Sequence, residues 1–259
     1  MINMPSVPAL IHPEESALAA AIHAPNAPTG KLAVLCPGFV DSKDYAHLVA
    51  LADELADRGY TAVRFDPTGT WASAGNIELY TVTQYLEDVQ SVIDHMCSTS
   101  TYTEILIAGH SMGGFVAMLY AARDSRITCV VDIMGAYSFA RPANATIIDA
   151  WKISGVRTVS RDVPGTSDRR EVVVPYTHVI DRLQYHVLEE ISAVHAPIVL
   201  IAGEKDDIVV PEEVAKIYER ANQPKRFVTI PGIGHDYRHN PDEIEIVNQH
   251  VFNALATLH

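Results

Sequence analysis

The chain has 259 residues, of which 48% are hydrophobic and 20% are charged, and its formal charge at pH 7 is −13. This length is enough to bury a large core in a single α/β domain. The acidic balance argues against a nucleic-acid partner or an anionic membrane, because binding to polyanions requires an excess of lysine and arginine. No stretch of about 18 consecutive apolar residues predicts a membrane span.

The N-terminal region has no basic segment before its apolar residues, and Glu14 and Glu15 interrupt the one apolar run. We therefore expect no secretory signal. The three cysteines, Cys36, Cys97 and Cys129, are an odd number, and two of them lie within apolar runs. This pattern predicts buried free thiols in a cytoplasmic protein.

Short apolar runs alternate with longer amphipathic segments along the chain, and most of the short runs lack strict polar–apolar alternation. Such runs are typical of strands buried on both faces of a parallel sheet, with helices joined to them by right-handed crossovers. We therefore predict an α/β fold with a mostly parallel central sheet and helices on both faces. The predicted strands are residues 31–36, 61–65, 104–108, 128–134, 198–202 and 226–230, and the predicted helices are residues 45–58, 82–97, 112–123, 211–221 and 241–258.

Residues 137–195 interrupt this alternation, and a structureless loop of that length would be unusual in a compact domain. The interval contains Trp151, the turn Pro164–Gly165 between two strand-like runs, and four arginines, namely Arg157, Arg161, Arg169 and Arg170. We predict an inserted cap with its own helices and a hairpin, between core segments 1–136 and 196–259. An irregular surface excursion is the alternative.

The sequence GHSMGG, residues 109–114, connects a predicted strand to a predicted helix. A G-x-S-x-G sequence in this position is typical of a nucleophile elbow, in which a sharp turn presents the serine at a helix N-terminus. Gly109 and Gly113 would be needed there because the strand and the helix approach each other closely. Ser111 is therefore the candidate nucleophile, and the alternative is that it is only a small residue in a glycine-rich loop.

A serine hydroxyl becomes a good nucleophile only when a base removes its proton. In proteins with a nucleophile elbow, the acid and then the histidine follow the serine along the chain. Two loops after later predicted strands offer these groups, GEKDDIVVP at residues 203–211 and PGIGHDYRH at residues 231–239. His235 is the candidate base and Asp206 the candidate acid, with Asp207 as the alternative acid.

Two backbone amides are needed to bind the oxyanion that forms during acyl transfer. We expect them to be the N–H groups of Met112, next to the candidate nucleophile, and of Phe39, in the loop after the first predicted strand. The aromatic residues of the predicted cap could line a substrate pocket or form the cap's own core. These residues are Trp151, Tyr176 and Tyr185.

From about Lys31 to the end, the chain resembles the α/β-hydrolase superfamily. The segments CPGFVDSK, GHSMGG, GEKDDIVVP and PGIGHDY are similar to those of serine aminopeptidase-like and feruloyl (cinnamoyl) esterase-type hydrolases with a short inserted cap. Two departures are visible. Pro37-Gly38 replaces the usual His-Gly pair, and DPTGTWAS, residues 66–73, replaces the Arg-Gly-x-Gly-x-Ser pattern that follows an aspartate in relatives. The resemblance implies that this second loop borders the active site.

Together these features predict a serine carboxylic ester hydrolase that acts through an acyl-enzyme on small to medium esters, including esters of aromatic acids. The alternatives are a peptidase or thioesterase of the same fold, or a non-catalytic binding protein. We expect a small-molecule ester as partner, without nucleic acid or membrane, and the oligomeric state remains open, a homodimer included. No cofactor is expected, because no dinucleotide-binding glycine pattern is present. No metal is expected either, because His235 and His239 have no third ligand at a matching spacing.

Overall fold

The computed structural model describes residues 6–11 and 17–258. Glu14 and Glu15, on which the expectation of no secretory signal depends, lie outside the described residues. The same holds for residues 1–5, 12–16 and 259 of the predicted core segments.

The centre of the protein is an eight-stranded sheet, and a separate two-stranded sheet lies within residues 137–195. The strands in chain order are β1 (Val7–Ile11), β2 (Leu18–His23), β3 (Lys31–Cys36), β4 (Tyr60–Phe65), β5 (Glu104–His110), β6 (Cys129–Ile133), β7 (Val156–Asp162), β8 (Arg169–Pro175), β9 (Ile198–Gly203) and β10 (Lys225–Ile230). All six predicted strands are present, as β3, β4, β5, β6, β9 and β10.

The large sheet has the strand order β1-β2-β4-β3-β5-β6-β9-β10. Strand pairs from β4 through β10 are parallel, whereas β2 runs antiparallel to both β1 and β4. The prediction of a mostly parallel sheet is therefore confirmed. Strands β1 and β2 were not predicted, because the alanine-rich sequence LAAAIH of β2 has little intrinsic preference for a strand.

Eight α-helices are described for residues 17–258. They are α1 (Ala46–Asp57), α2 (Val82–Thr99), α3 (Met112–Ala121), α4 (Ala145–Ser154), α5 (Thr177–Arg182), α6 (Val187–Glu190), α7 (Pro211–Arg220) and α8 (Pro241–Ala256).

Helices cover both faces of the large sheet, as the sequence predicts. The apolar residues of α1 and α8 form one buried cluster with one face of the sheet, and those of α2, α3 and α7 form a second cluster with the other face. Neighbouring residues of β3 point alternately into these two clusters, so the strand is buried on both sides. No helix in the described ranges is both long enough and apolar enough to cross a bilayer.

The segment of residues 137–195 contains α4, α5 and α6 and the antiparallel hairpin of β7 and β8. Its buried side chains, including Trp151, Val174 and Val179, belong to the same apolar cluster as α2 and α3. The segment therefore extends the core on one face of the sheet and has ordered structure throughout.

Candidate active site

Ser111 lies in the sharp turn between β5 and α3. Its backbone has φ 55° and ψ −115°, a conformation that residues with a side chain rarely adopt. A Cβ atom on Gly109 would overlap the backbone of Gly113, and one on Gly113 would overlap the carbonyl of Cys36. The strand, the helix and the preceding loop can approach this closely only because both positions are glycine, and the turn leaves Ser111 partly exposed.

The three residues predicted to act together are close in the folded chain. His235 Nε2 lies 2.9 Å from the Oγ atom of Ser111, and His235 Nδ1 lies 2.7 Å from Oδ2 of Asp206. Since a carboxylate can only accept hydrogen bonds, the Nδ1 atom carries the proton and Nε2 is free to accept the one from Ser111. His235 is thereby held in the tautomer that a general base requires.

Asp206, and not Asp207, contacts His235. The second oxygen of Asp206, Oδ1, accepts hydrogen bonds of 2.9 and 2.8 Å from the backbone N–H groups of Ile208 and Val209. These bonds fix the carboxylate in the turn after β9, whereas Asp207 is exposed to solvent. The choice between the two aspartates therefore follows from the direction that this turn gives each side chain.

Behind His235 lies a group of buried side chains that sequence reasoning did not single out. His110 donates a hydrogen bond of 3.1 Å from Nε2 to the backbone carbonyl of His235. Burial lowers the pKa of His110 well below its usual value, and the nearby His235 acts in the same direction. Burial also lowers the pKa of His47 to about 3. Both rings are therefore neutral at pH 7. The ring of His110 packs against that of His235, and the ring of His47 packs against that of His110.

The side chains of Asp41, His47 and His110 place possible metal-ligand atoms within 4.8 Å of one another. However, the guanidinium groups of Arg161 and Arg238 lie 3.3 and 3.1 Å from the two oxygens of Asp41. These cations already neutralise the only carboxylate of the group, so its electrostatics disfavour a bound metal ion.

The two candidate oxyanion-binding amides also have suitable surroundings. Met112 is the first residue of α3, so its N–H group has no partner within the helix. The N–H group of Phe39 forms no hydrogen bond with any residue in the ranges that the structure describes. Neither amide therefore donates to an acceptor within the described residues.

The loop that carries Phe39, residues 37–41, is held by side chains from distant parts of the chain. Val40, which has φ 55°, donates from its N–H group to the hydroxyl of Tyr80 at 3.0 Å. The indole N–H of Trp71 donates to the Val40 carbonyl at 3.0 Å, and the hydroxyl of Tyr85 donates to the Pro37 carbonyl at 2.9 Å. Trp71 belongs to the unusual DPTGTWAS segment, which was the only sequence signal for any of these contacts.

A cavity of about 350 Å³ opens beside Ser111 and His235. Among the predicted pocket aromatics, Trp151 lines it, together with Phe39 from the loop after β3. Tyr176 lies outside the cavity and packs against the apolar cluster at the start of α5. Tyr185 also lies outside the cavity. Its hydroxyl is 2.7 Å from that of Thr83 on α2. The interpretation of these two tyrosines as pocket residues is corrected accordingly.

Five arginines line the same cavity, although sequence reasoning assigned none of them a role there. Of the arginine-rich stretch noted in the sequence, only Arg157 and Arg161 line the cavity, and Arg169 and Arg170 do not. The other three come from separate regions of the chain and are Arg141, Arg182 and Arg238. The sequence offered no sign that these residues would converge.

The order of the strands and the sharp turn at Ser111 between β5 and α3 are those of an α/β-hydrolase fold. The neighbouring histidine and aspartate are typical of the site in such a fold. The alpha/beta hydrolase family matches residues 33–245, which is most of the chain. The protein belongs to this family, so the resemblance found in the sequence is confirmed.

Among proteins of known activity, the palmitoyl-protein thioesterase ABHD10, mitochondrial, of Homo sapiens is 25% identical over 179 residues. The matched region is 68% of this chain and 57% of that protein, so the chain spans little more than half the length of this relative.

Many solved structures share the fold, and two of them illustrate the similarity. The esterase Est1E from Butyrivibrio proteoclasticus, solved with ferulic acid bound, has a TM-score of 0.74 and is 23% identical, with 96% of this chain and 99% of that chain covered. Alpha/beta hydrolase domain-containing protein 10 from mouse has a TM-score of 0.74 at 19% identity, with 98% and 100% covered.

Proposed function

We propose that the protein is a serine hydrolase that cleaves carboxylic esters through an acyl-enzyme. The observation that carries this proposal is the chain of two hydrogen-bond contacts that joins Ser111, His235 and Asp206 next to a cavity. A nucleophile, a base and an acid that orients the base are the three groups that acyl transfer requires. A purely binding protein has no need of them together.

In the proposed mechanism, His235 removes the proton from Ser111 as the serine oxygen attacks the ester carbonyl. The N–H groups of Phe39 and Met112 bind the negative oxygen that develops. Asp206 stabilises the imidazolium, which then gives its proton to the leaving alcohol. A water molecule, activated in turn by His235, attacks the acyl-enzyme and releases the acid and Ser111.

We propose that residues 137–195 act as a cap over this site. The segment contributes Phe139, Trp151 and Arg157 to the wall of the cavity, while the loop after β3 contributes Phe39. A volume of about 350 Å³ lies at the small end of the usual range for ligand pockets, which is about 300–1,000 Å³. The cavity therefore suits a small to medium acyl group, aromatic acids included.

A thioesterase is the second candidate, because the human relative bears that name. The same serine, histidine and amides would attack a thioester carbonyl, since only the leaving group differs. Esters, thioesters and anilides with one common acyl group would rank these activities directly by kcat/KM.

The proposal is tested with an organophosphonate probe, which reacts with activated serines. We expect one labelled residue, Ser111, and expect Ser111→Ala to lose both labelling and ester hydrolysis while its thermal unfolding stays close to that of the wild type. Ser192→Ala, at an exposed serine outside the cavity, is the matched control and should keep both. Stoichiometric labelling of Ser111→Ala, or full hydrolysis by that variant, would contradict the proposal.

A further inference from the structure

The charges around the candidate site are unbalanced. Three of the five cavity arginines have carboxylate partners: Arg141 pairs with Glu213, Arg161 with Asp41, and Arg238 with both Asp41 and Asp236. The guanidinium groups of Arg157 and Arg182 form no ion pair and no hydrogen bond with any residue in the ranges 6–11 and 17–258. The cavity wall is therefore cationic in a protein whose formal charge is −13.

Arg182 is the more unusual of the two, because only 9% of its surface is exposed. Its guanidinium group lies over the ring of Phe139, 4.4 Å from the ring centre, and 5.5 Å from the ring centre of Phe115. These rings hold the group in place by cation–π attraction, but they leave its N–H donors without acceptors. A buried guanidinium without an anionic partner is costly to the fold.

The neighbouring arginines increase this cost. Burial, assisted by the like charges of Arg141 and Arg157, lowers the pKa of Arg182 to about 10. Burial and the charge of Arg161 lower the pKa of Arg157 as well. Arg182 remains protonated at neutral pH, so the fold holds an uncompensated positive charge in the wall of the cavity that Ser111 also lines.

We propose that the substrate is an ester that also carries a free carboxylate, and that Arg182 and Arg157 bind this carboxylate. The inference rests on the proposed esterase function and names the substrate class for the same site. The planar fork of an arginine matches the two oxygens of a carboxylate, and such charge-assisted pairs are strong where water is excluded. The bound carboxylate would supply the anionic partner that Arg157 and Arg182 lack among the described residues.

The wild-type protein provides the first test. Each of two matched pairs compares an anionic ester with its neutral methyl ester: 4-nitrophenyl hydrogen suberate with 4-nitrophenyl methyl suberate, and 4-carboxyphenyl butyrate with 4-(methoxycarbonyl)phenyl butyrate. The first pair carries the carboxylate in the acyl half and the second in the alcohol half. In at least one pair, kcat/KM should be about 10- to 100-fold higher for the anionic ester, as expected for a charge-assisted hydrogen bond.

Variants then assign the effect to residues. Arg182→Met should lower kcat/KM for the anionic ester, chiefly through KM, by a much larger factor than for the neutral ester, and should thereby remove most of the preference. Arg182→Lys should restore part of it, because the charge returns without the fork. Arg157→Met, at a half-buried position, supplies the same test should Arg182→Met fold poorly. Arg169→Met removes one charge from an exposed site in the same hairpin and should keep the preference.

The outcomes separate this inference from the proposed function. Equal kcat/KM within both pairs, with Ser111 still labelled by the phosphonate, would overturn the inference and leave the esterase proposal standing. A preference that survives in both Arg182→Met and Arg157→Met would also overturn it. A loss that is equal for anionic and neutral esters would show that these arginines only pack, and would overturn it as well. If no ester is cleaved and Ser111 is not labelled, both proposals fail.

Discussion

The hydroxyl of Tyr80 accepts a hydrogen bond of 3.0 Å from the backbone N–H group of Val40, which directly follows Phe39. Tyr80 is only 1% exposed, and the two residues are 40 positions apart in the chain. Since Val40 has a positive φ, the loop needs support from outside to keep its conformation. Tyr80 thus supports the loop that carries Phe39, and it is not among the residues that line the cavity.

Removal of the Tyr80 hydroxyl should therefore affect activity as well as stability. In Tyr80→Phe, the buried N–H group of Val40 loses its acceptor, at a cost of about 1–3 kcal/mol. We expect kcat to fall by about tenfold or more with little change in KM, because the oxyanion interaction strengthens only in the transition state. Tyr120→Phe, which removes a hydroxyl that contacts Asp124 away from the loop, is the control. Equal kcat values for the two variants would argue against a role of Tyr80 in positioning the loop.

The contact between Asp206 and His235 leads to a second prediction. Asp206→Asn can keep its bonds to Ile208 and Val209 through the amide oxygen, so the turn should persist. The amide N–H₂ group would then face Nδ1 of His235 and favour the wrong tautomer. We expect kcat to fall by up to about four orders of magnitude, as in triad enzymes generally, with little change in melting temperature.

Asp207→Asn is the matched control, because the neighbouring side chain is exposed and contacts neither His235 nor Ser111. Its kcat should stay within about tenfold of the wild type, which corresponds to 1.4 kcal/mol of barrier. A larger fall in kcat for Asp207→Asn than for Asp206→Asn would mean that Asp207, and not Asp206, orients His235.

Buried histidines should make the fold sensitive to acid. Burial lowers the pKa of His47 to about 3 and that of His178 to about 4, whereas in the unfolded chain both should lie near 6.5. Below pH 6.5 the unfolded chain therefore binds more protons than the folded one, and the free energy of unfolding falls. Each histidine contributes a slope of about 1.4 kcal/mol per pH unit, which persists until the folded state is protonated.

His47→Leu tests this slope, because neither ring nitrogen of His47 forms a hydrogen bond in the described structure. Urea unfolding at pH 7, 6 and 5 should show a free energy that falls less steeply for the variant than for the wild type. The difference should approach about 1.4 kcal/mol per pH unit below pH 6. If the free energy of unfolding falls with pH at the same slope in both proteins, His47 does not contribute to the acid sensitivity.

Asp132 on β6 should have the opposite pH dependence. Burial raises its pKa well above the usual value, and the nearby Gly135 amide offsets this only in part. As pH rises above about 4, the unfolded chain loses a proton that the folded chain keeps, so stability declines. Asp132→Asn retains the shape without the ionisation, and its melting temperature should exceed that of the wild type at pH 7 but not at pH 4.

An exposed aspartate gives the comparison for this experiment. Asp57→Asn, at the solvent-exposed end of α1, should change stability by no more than about 0.5 kcal/mol at either pH. A melting temperature of Asp132→Asn that falls further below the wild type at pH 7 than at pH 4 would mean that the fold needs the charged carboxylate, and would contradict the prediction.

Much of the fold could be predicted from local patterns. Apolar runs without alternation identify β3 to β6 and β9, because strands buried on both faces need apolar residues at most positions. Strand β10 was also predicted, although it lies at the edge of the sheet and is only partly buried. The turn at Ser111 could be predicted because a close approach of strand and helix requires glycine at two positions. Strands β1 and β2 could not, because their pairing in the sheet, rather than their local sequence, makes them strands: β2 pairs with β4, and β1 pairs with β2.

The sequence by itself therefore determined the α/β architecture, the turn that presents Ser111, and the two loops that carry Asp206 and His235. These features depend on residue types a few positions apart, whose spacing reports directly on local backbone geometry. Only the tertiary structure decided that Asp206 rather than Asp207 faces His235. It also decided that Tyr80 and Trp71 hold the loop of Phe39. The same is true of the arginines that converge on the cavity. Those relationships join residues distant in the chain, and packing sets the direction of each side chain, so no local pattern encodes them.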